Sequence, residues 1–224
     1  KDAVYMHSSQ DFFMHTLLDR LRSKGINVMG SYAFADFQKD TASVLVSFWE
    51  TPVEKVVENI MKKSDNLNAE ALLYRMGAQA TGRKRVSAAE GIAEITKLAL
   101  TFGYQPDDYK IADGCGLSNY DYISPALLLR FLTYAYSQPA LFRKLYQALP
   151  VAGIDGTLQN RMKAGKAHKN VRAKTGSYTG INGLAGYLKA SDGHDIAFVI
   201  LNQNVLSAAK ARVLQDAVCG LLCQ

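Results

Sequence analysis

Cysteine is scarce. Three residues in a 224-residue chain (Cys115, Cys219 and Cys223) cannot all pair with one another, which excludes a disulfide-built scaffold. The four histidines, His7, His15, His168 and His194, are scattered, and no His or Cys pair has zinc-like spacing with a second pair to complete it. No metal or organic cofactor is expected. No apolar run approaches the roughly 20 residues of a bilayer-spanning helix. Residues 1–9 carry no apolar signal-peptide core, and the chain reads as one entered in mid-protein. Internal repeats and low-complexity stretches are also lacking.

What is present is ordinary for a globular chain: 48% hydrophobic and 21% charged residues, long enough for one large domain or two small ones. The net charge of +6 favours an acidic partner without naming it.

The hydrophobic pattern places the elements. Phe13, Leu17, Leu18 and Leu21 recur at helical spacing over Asp11–Lys24, and Gly25 follows as a stop. Ser43–Trp49, rich in β-branched and aromatic residues, predicts a strand. Thr51-Pro52 opens a helix ending at Lys62-Lys63, and a further helix is predicted over Asn68–Met76, closed by Gly77. Ser87 and Glu90 form a capping box, Ser124-Pro125 supplies a cap and a first-turn proline, and a shorter helix runs from Pro139 to Leu149. After Pro150 three strands are predicted, Val171–Ser177, Ile181–Ala190 and Ile196–Asn202, with short turns between them. A last amphipathic helix covers about Val205–Leu222. The likeliest boundary along the chain lies near Thr51.

Two short strings can carry chemistry: Ser64-Asp65-Asn66, in the break between two helices, and Lys174-Thr175-Gly176-Ser177, in a strand leading to a tight turn. Each alone is weak. In this order they match two of the three elements of penicillin-recognising acyl-serine enzymes. Longer blocks agree, in order: Lys63–Leu72, Asp113–Ser118, Leu149–Leu158 and Val171–Ser177. Over about Asp11–Gln215 the chain resembles the D-alanyl-D-alanine carboxypeptidase/endopeptidase family, the class C low-molecular-mass penicillin-binding proteins.

That resemblance implies an α+β fold, the C-terminal portion of the β-lactamase/transpeptidase-like fold, with helices first, then antiparallel strands and a closing helix on the sheet. Residues 1–50 then correspond to the tail of an inserted accessory domain, and 51–224 to the transpeptidase-like part. The implied catalytic residues are Ser64, relaying a proton to the leaving nitrogen, Asn66, holding the substrate amide, and Lys174, keeping the Ser64 proton mobile. The implied substrate-binding residues are Thr175, Gly176 and Ser177. The two hydroxyls take the terminal carboxylate, the glycine admits close backbone approach, and the Ser177 N–H is one oxyanion donor. The implied substrates are peptidoglycan stem peptides ending in D-Ala-D-Ala, with β-lactams as inhibitors, in a periplasmic or otherwise extracytoplasmic bacterial enzyme.

In one place the sequence departs from the family. The third element, Ser-x-x-Lys, supplies the nucleophile upstream of Ser64, and residues 1–63 contain none. Ser207-Ala-Ala-Lys210 has the spacing but lies downstream of the Lys-Thr-Gly strand. With 14 serines and 16 lysines, chance alone supplies about one such pair. Ser207 therefore reads as a cap or helix-surface residue. The chain resembles the C-terminal half of a longer enzyme, whose N-terminal half would be a partner. Alone, it should expose the edge of the Ile196–Asn202 strand and dimerise through it or be poorly stable.

Cys115 falls where the family usually has serine, and a small residue in a tight loop is its plain reading, with a reactive thiol as the alternative. The six basic residues from Arg161 to Lys174, with no acidic one among them, could suggest a phosphate stripe. They lack aromatic interleaving, and no nucleic-acid partner is expected. Two further classes stand beside the peptidase half: a non-catalytic module recognising D-Ala-D-Ala, and an interaction scaffold with vestigial motifs.

Overall fold

The computed structural model describes residues 7–36, 38, 40–45 and 47–224. The chain divides into two compact units, Lys1–Trp49 and Glu50–Gln224. In the first, helix α1 (Ser9–Ser23) starts where the Ser8 hydroxyl accepts the Asp11 N–H at 3.1 Å. Tyr32 donates to the Asp11 carboxylate at 2.8 Å and meets the His15 ring edge-on. The strand expected over Ser43–Trp49 is not found among its described residues (Val46 lies outside them). Val44 and Leu45 are exposed there, and the described residues of this unit form no second strand to pair with. Sequence preference for strand yields nothing when the backbone groups have no partner.

In the second unit, helices α2 (Val53–Lys63), α3 (Asn66–Thr81), α4 (Ala88–Thr101), α5 (Pro125–Ser137) and α6 (Pro139–Ala148) precede strands β1 (Arg172–Tyr178), β2 (Ile181–Lys189) and β3 (Asp195–Asn202), and helix α7 (Ala208–Leu222) closes it. The caps do what the sequence asks. Ser87 and Glu90 close their capping box at α4, and Ser124 Oγ accepts the Leu127 N–H at 3.1 Å at α5. Gly77, expected to end α3, lies inside it. A Cβ there would sit 2.8 Å from the Gly91 nitrogen, and one on Gly91 would sit 2.2 Å from the Leu73 carbonyl oxygen. The two glycines let α3 and α4 meet backbone to backbone. The helix stops five residues later at Gly82, whose φ is +70°.

The sheet is antiparallel in the order β1-β2-β3, with Thr175 opposite Leu184 and Leu184 opposite Ile200. One face packs under α7 in a core of Leu158, Val171, Leu184, Leu188, Phe198, Cys219 and Cys223. Cys219 and Cys223 are thus core residues, both free thiols. The other face meets the helices, where Tyr187 Oη donates to the Leu132 carbonyl at 2.8 Å. Both outer edges are short of partners. Among the described residues β3 pairs only with β2, and β1 is bridged on its outer side only where Arg172 meets Val151. The backbone of Lys174 to Ser177 is left open along that edge. Among the described residues, no helix is long and apolar enough to cross a membrane.

Candidate active site

The site is assembled from the α2–α3 junction, the segment before β1, and β1 itself. At the junction one helix hands directly to the next. Ser64 is the C-cap of α2 and takes a left-handed conformation, φ 55° and ψ 49°. For a residue with a Cβ this costs roughly 1–2 kcal/mol. Asp65 then caps α3, its carboxylate accepting the Asn68 N–H at 2.9 Å. That bond to Asn68 holds the Asp65 carboxyl below the usual range. Of the triplet, Asp65 is thus occupied structurally, while the Ser64 and Asn66 side chains are exposed.

Lys174 meets the junction from β1. Its Nζ donates to Ser64 Oγ at 2.8 Å and to the Thr175 carbonyl at 2.5 Å. Burial lowers the Lys174 pKa from its ordinary value. A half-buried ammonium bound to a hydroxyl, with no carboxylate salt partner among the described residues, can pass a proton more readily than a surface lysine. The structure therefore brings Ser64 and Lys174 into direct contact across 110 positions of sequence.

Thr175 follows on the strand, and its hydroxyl donates to Thr157 Oγ1 at 2.9 Å. Ser177 Oγ faces the buried Asn182 at 3.4 Å. Gly176 stands opposite Gly183, and a Cβ built on it would meet nothing nearer than 4.0 Å. Among the described residues, Lys174 is the side-chain hydrogen-bond partner of Ser64, and the Asn66 amide has none.

Asp155 and Thr157 lie in the Leu149–Leu158 block that carries the resemblance, but the sequence assigned them no role. Asp155 accepts from Lys62 Nζ at 2.6 Å and from the Val151 N–H at 2.9 Å, while Lys62 also reaches the Leu149 carbonyl at 3.1 Å. Burial pushes the Asp155 carboxyl up, but the bonds to Lys62 and Val151 prevail and hold it below the ordinary range. Gly156 between them has φ +55°, and a Cβ there would lie 2.9 Å from the Lys62 carbonyl oxygen. This latch ties the loop before β1 to the last turn of α2, the turn that ends in Ser64. A signal existed in the string Asp155-Gly156-Thr157, an acid, a glycine and a hydroxyl in one turn, but only the distant Lys62 gives it meaning.

Two other candidates resolve differently. Glu70, Asp113 and Cys115 place potential ligand atoms within 4.8 Å of one another. Glu70 Oε1 already accepts the Gly114 and Cys115 N–H groups at 2.8 and 2.9 Å, and Asp113 accepts those of Gly116, Leu117 and Ser118. The carboxylates close a glycine-rich loop. Burial, with the hydrogen bond to Glu70 second, pushes the Cys115 thiol up to about 11, which suits an inert residue rather than a nucleophile. Ser207 Oγ accepts the Lys210 N–H at 3.4 Å as the N-cap of α7, so its Ser-x-x-Lys spacing is a capping geometry.

Helices followed by a three-stranded antiparallel sheet under a closing helix make the fold that penicillin binding protein 4 and β-lactamases share. A class A β-lactamase from Bacteroides cellulosilyticus shares the fold, with TM-score 0.55 at 16% identity, over 76% of this chain and 62% of its own. The chain belongs to the D-Ala-D-Ala carboxypeptidase 3 (S13) family, whose profile matches residues 1–224. A D-alanyl-D-alanine carboxypeptidase from an Actinomadura species is 30% identical over 212 residues, 91% of this chain and 38% of its own length. Penicillin binding protein 4 from Haemophilus influenzae, solved in complex with a β-lactam, superposes with TM-score 0.77 at 26% identity, over 95% of this chain and 50% of that one. The chain thus spans half or less of the length of these two relatives.

Proposed function

We propose that this chain supplies part of the active site of a serine-type D-Ala-D-Ala carboxypeptidase/endopeptidase acting on peptidoglycan stem peptides. The observation that carries the reading is the 2.8 Å contact between Lys174 Nζ and Ser64 Oγ, which joins two motifs 110 residues apart. In this reading a serine on a segment other than these residues attacks the carbonyl of the penultimate D-alanine. Lys174 holds positive charge beside Ser64, and Ser64 passes a proton to the leaving nitrogen. The Asn66 amide holds the substrate amide. The substrate lies along the open edge of β1 as an added strand, with Gly176 admitting its backbone. The Thr175 and Ser177 hydroxyls bind its carboxylate, and the Ser177 N–H contributes to the oxyanion hole. A β-lactam would occupy the same place. Residues 1–50 are read as the end of an inserted accessory domain, and the setting as extracytoplasmic. The outer edge of β3 is the place for the strands of the missing half or, failing them, of a second copy.

The test is reconstitution. The chain alone, incubated with a reactive β-lactam, should keep its intact mass. Mixed with a separately made segment carrying a Ser-x-x-Lys, it should restore acylation on that segment and release D-alanine from an acyl-D-Ala-D-Ala peptide. A stable adduct on the isolated chain, at Ser207 or Cys115, would refute this assignment of roles.

A further inference from the structure

A surface cleft of about 710 Å³ runs along α3 from Ala71 to the loop beyond the helix end, lined by Tyr74, Arg75, Arg83, Lys84, Arg85 and Val86, among others. Its near edge, Ala71, lies five residues past Asn66, about 8 Å along the helix, and its far edge, Gly82, roughly 24 Å. No residue of its lining belongs to the candidate active site. Four cations fall within eleven residues, and among the described residues Arg83 alone of them has a carboxylate partner, Glu90. Among the described residues, no acidic group lies within 4 Å of Arg75, Lys84 or Arg85; Arg75 reaches only the Gln79 amide oxygen. A helix C-terminus favours a cation in its last turn. That accounts for none of Arg83, Lys84 and Arg85, which lie beyond Gly82 where the helix has ended.

The other basic segment of the chain behaves differently. In Arg161–Lys174, Arg161 is paired with Asp216, Arg172 lies over the Tyr146 ring, and Lys174 is at the active site. Its remaining cations, Lys163, Lys166 and Lys169, are exposed. Along α3 and the loop after it, three cations with no carboxylate within 4 Å among the described residues line one concavity, beside an exposed tyrosine and the smaller apolar Val86. Guanidinium forks read oxyanions in bidentate fashion, and several on one cleft favour a ligand with repeated anionic groups.

We propose that this cleft is an exosite for an anionic polymer bearing phosphate or carboxylate groups, which would hold the protein against the cell wall while the active site works. The choice of a wall polymer rests on the function proposed above; the binding site itself does not. The test uses the 224-residue chain and fluorescent polyphosphate, with poly-glutamate of equal charge alongside to tell which oxyanion is preferred. The variant R75Q/K84Q/R85Q should lose about tenfold or more in affinity, and the slope of log affinity against log salt should fall by about two to three. The charge-matched variant K163Q/K166Q/K169Q should stay near the parent. All six positions are exposed, so folding is preserved, which circular dichroism verifies. Equal losses in the two variants would reduce the effect to net charge and overturn the site, as would no binding by the parent chain. Tighter binding of a single-stranded RNA than of polyphosphate would overturn the wall polymer as occupant. None of these readouts depends on peptidase activity.

Discussion

Two glycines near the site separate what the fold requires from what a substrate would require. At Gly156 the backbone is left-handed, φ +55°, and an added Cβ would meet the Lys62 carbonyl oxygen at 2.9 Å. Gly156→Ala therefore carries about 1–2 kcal/mol of conformational strain. It carries a further steric term, because the blocking atom is helix backbone rather than a flexible side-chain end. The smaller unfolded-state entropy of alanine returns only about 0.4–1 kcal/mol. A net loss of about 2 kcal/mol is expected, along with displacement of Thr157 from the Thr175 hydroxyl. Gly176 has neither constraint: its φ is not positive, and the nearest atom to an added Cβ lies at 4.0 Å. Gly176→Ala should leave the chain as stable as the parent, or more stable by up to about 1 kcal/mol. If β1 takes the substrate as an added strand, the same methyl should still obstruct it and lower β-lactam acylation of the reconstituted enzyme. Urea melts followed by far-UV circular dichroism give the stabilities, and intact mass gives the acylation. Equal destabilisation by the two substitutions, or full acylation in Gly176→Ala, would refute the assignment of Gly176 to the substrate.

Leu184→Ala, at a fully buried position between β1 and β3, should cost about 2–5 kcal/mol, read from the same melts. Ser207→Ala should cost about 0.5–2 kcal/mol as a lost N-cap while leaving acylation of the reconstituted enzyme unchanged. Burial lowers the Lys174 pKa, so the unfolded chain binds more protons than the folded one as pH rises through the folded and then the unfolded value. The penalty of burying this charge is in full force at neutral pH and is relieved toward alkaline pH. Lys174→Met should accordingly be at least as stable as the parent at pH 7, lose that advantage as pH rises toward 10, and have no peptidase activity after reconstitution. With its thiol pushed up to about 11, Cys115 should alkylate slowly at pH 8 by iodoacetamide and mass spectrometry, and quicken only near pH 11.

Most elements were legible because their signals are local. A capping serine with a glutamate three residues on, or a serine before proline, specifies a helix start whatever surrounds it, and α4 and α5 begin where Ser87 and Ser124 place them. Elements that depend on a distant partner were misread. Gly77 carries the same local message as a helix stop, yet it serves the crossing with Gly91 fourteen residues away. Ser43–Trp49 has strand composition, and the described residues of its own unit offer no strand to join. At the site, Ser64 and Lys174 could be found because their strings are specific and ordered. The latch of Lys62, Asp155 and Gly156 could not, since each is an ordinary surface residue type until α2 and the loop before β1 come together.

The same distinction governs charge. Read along the chain, Arg161–Lys174 is one basic stretch, and the segment around Arg83 attracts no notice. Folding reverses the ranking. Arg161 is drawn to Asp216 and Gln215 on α7 at 2.6 and 3.0 Å, and Arg172 stacks on Tyr146 while Lys174 turns to Ser64. Half of the stretch is engaged inside the fold, and the other half is exposed. The cations of the α3 cleft begin with Arg75 at mid-helix, eight residues before Arg83, and become one group only because the helix and the loop after it wall the same cleft. Counting charge in a window therefore measures the wrong quantity. What attracts an anion is the cations left without a carboxylate once the chain has folded, weighted by whether they face a common space.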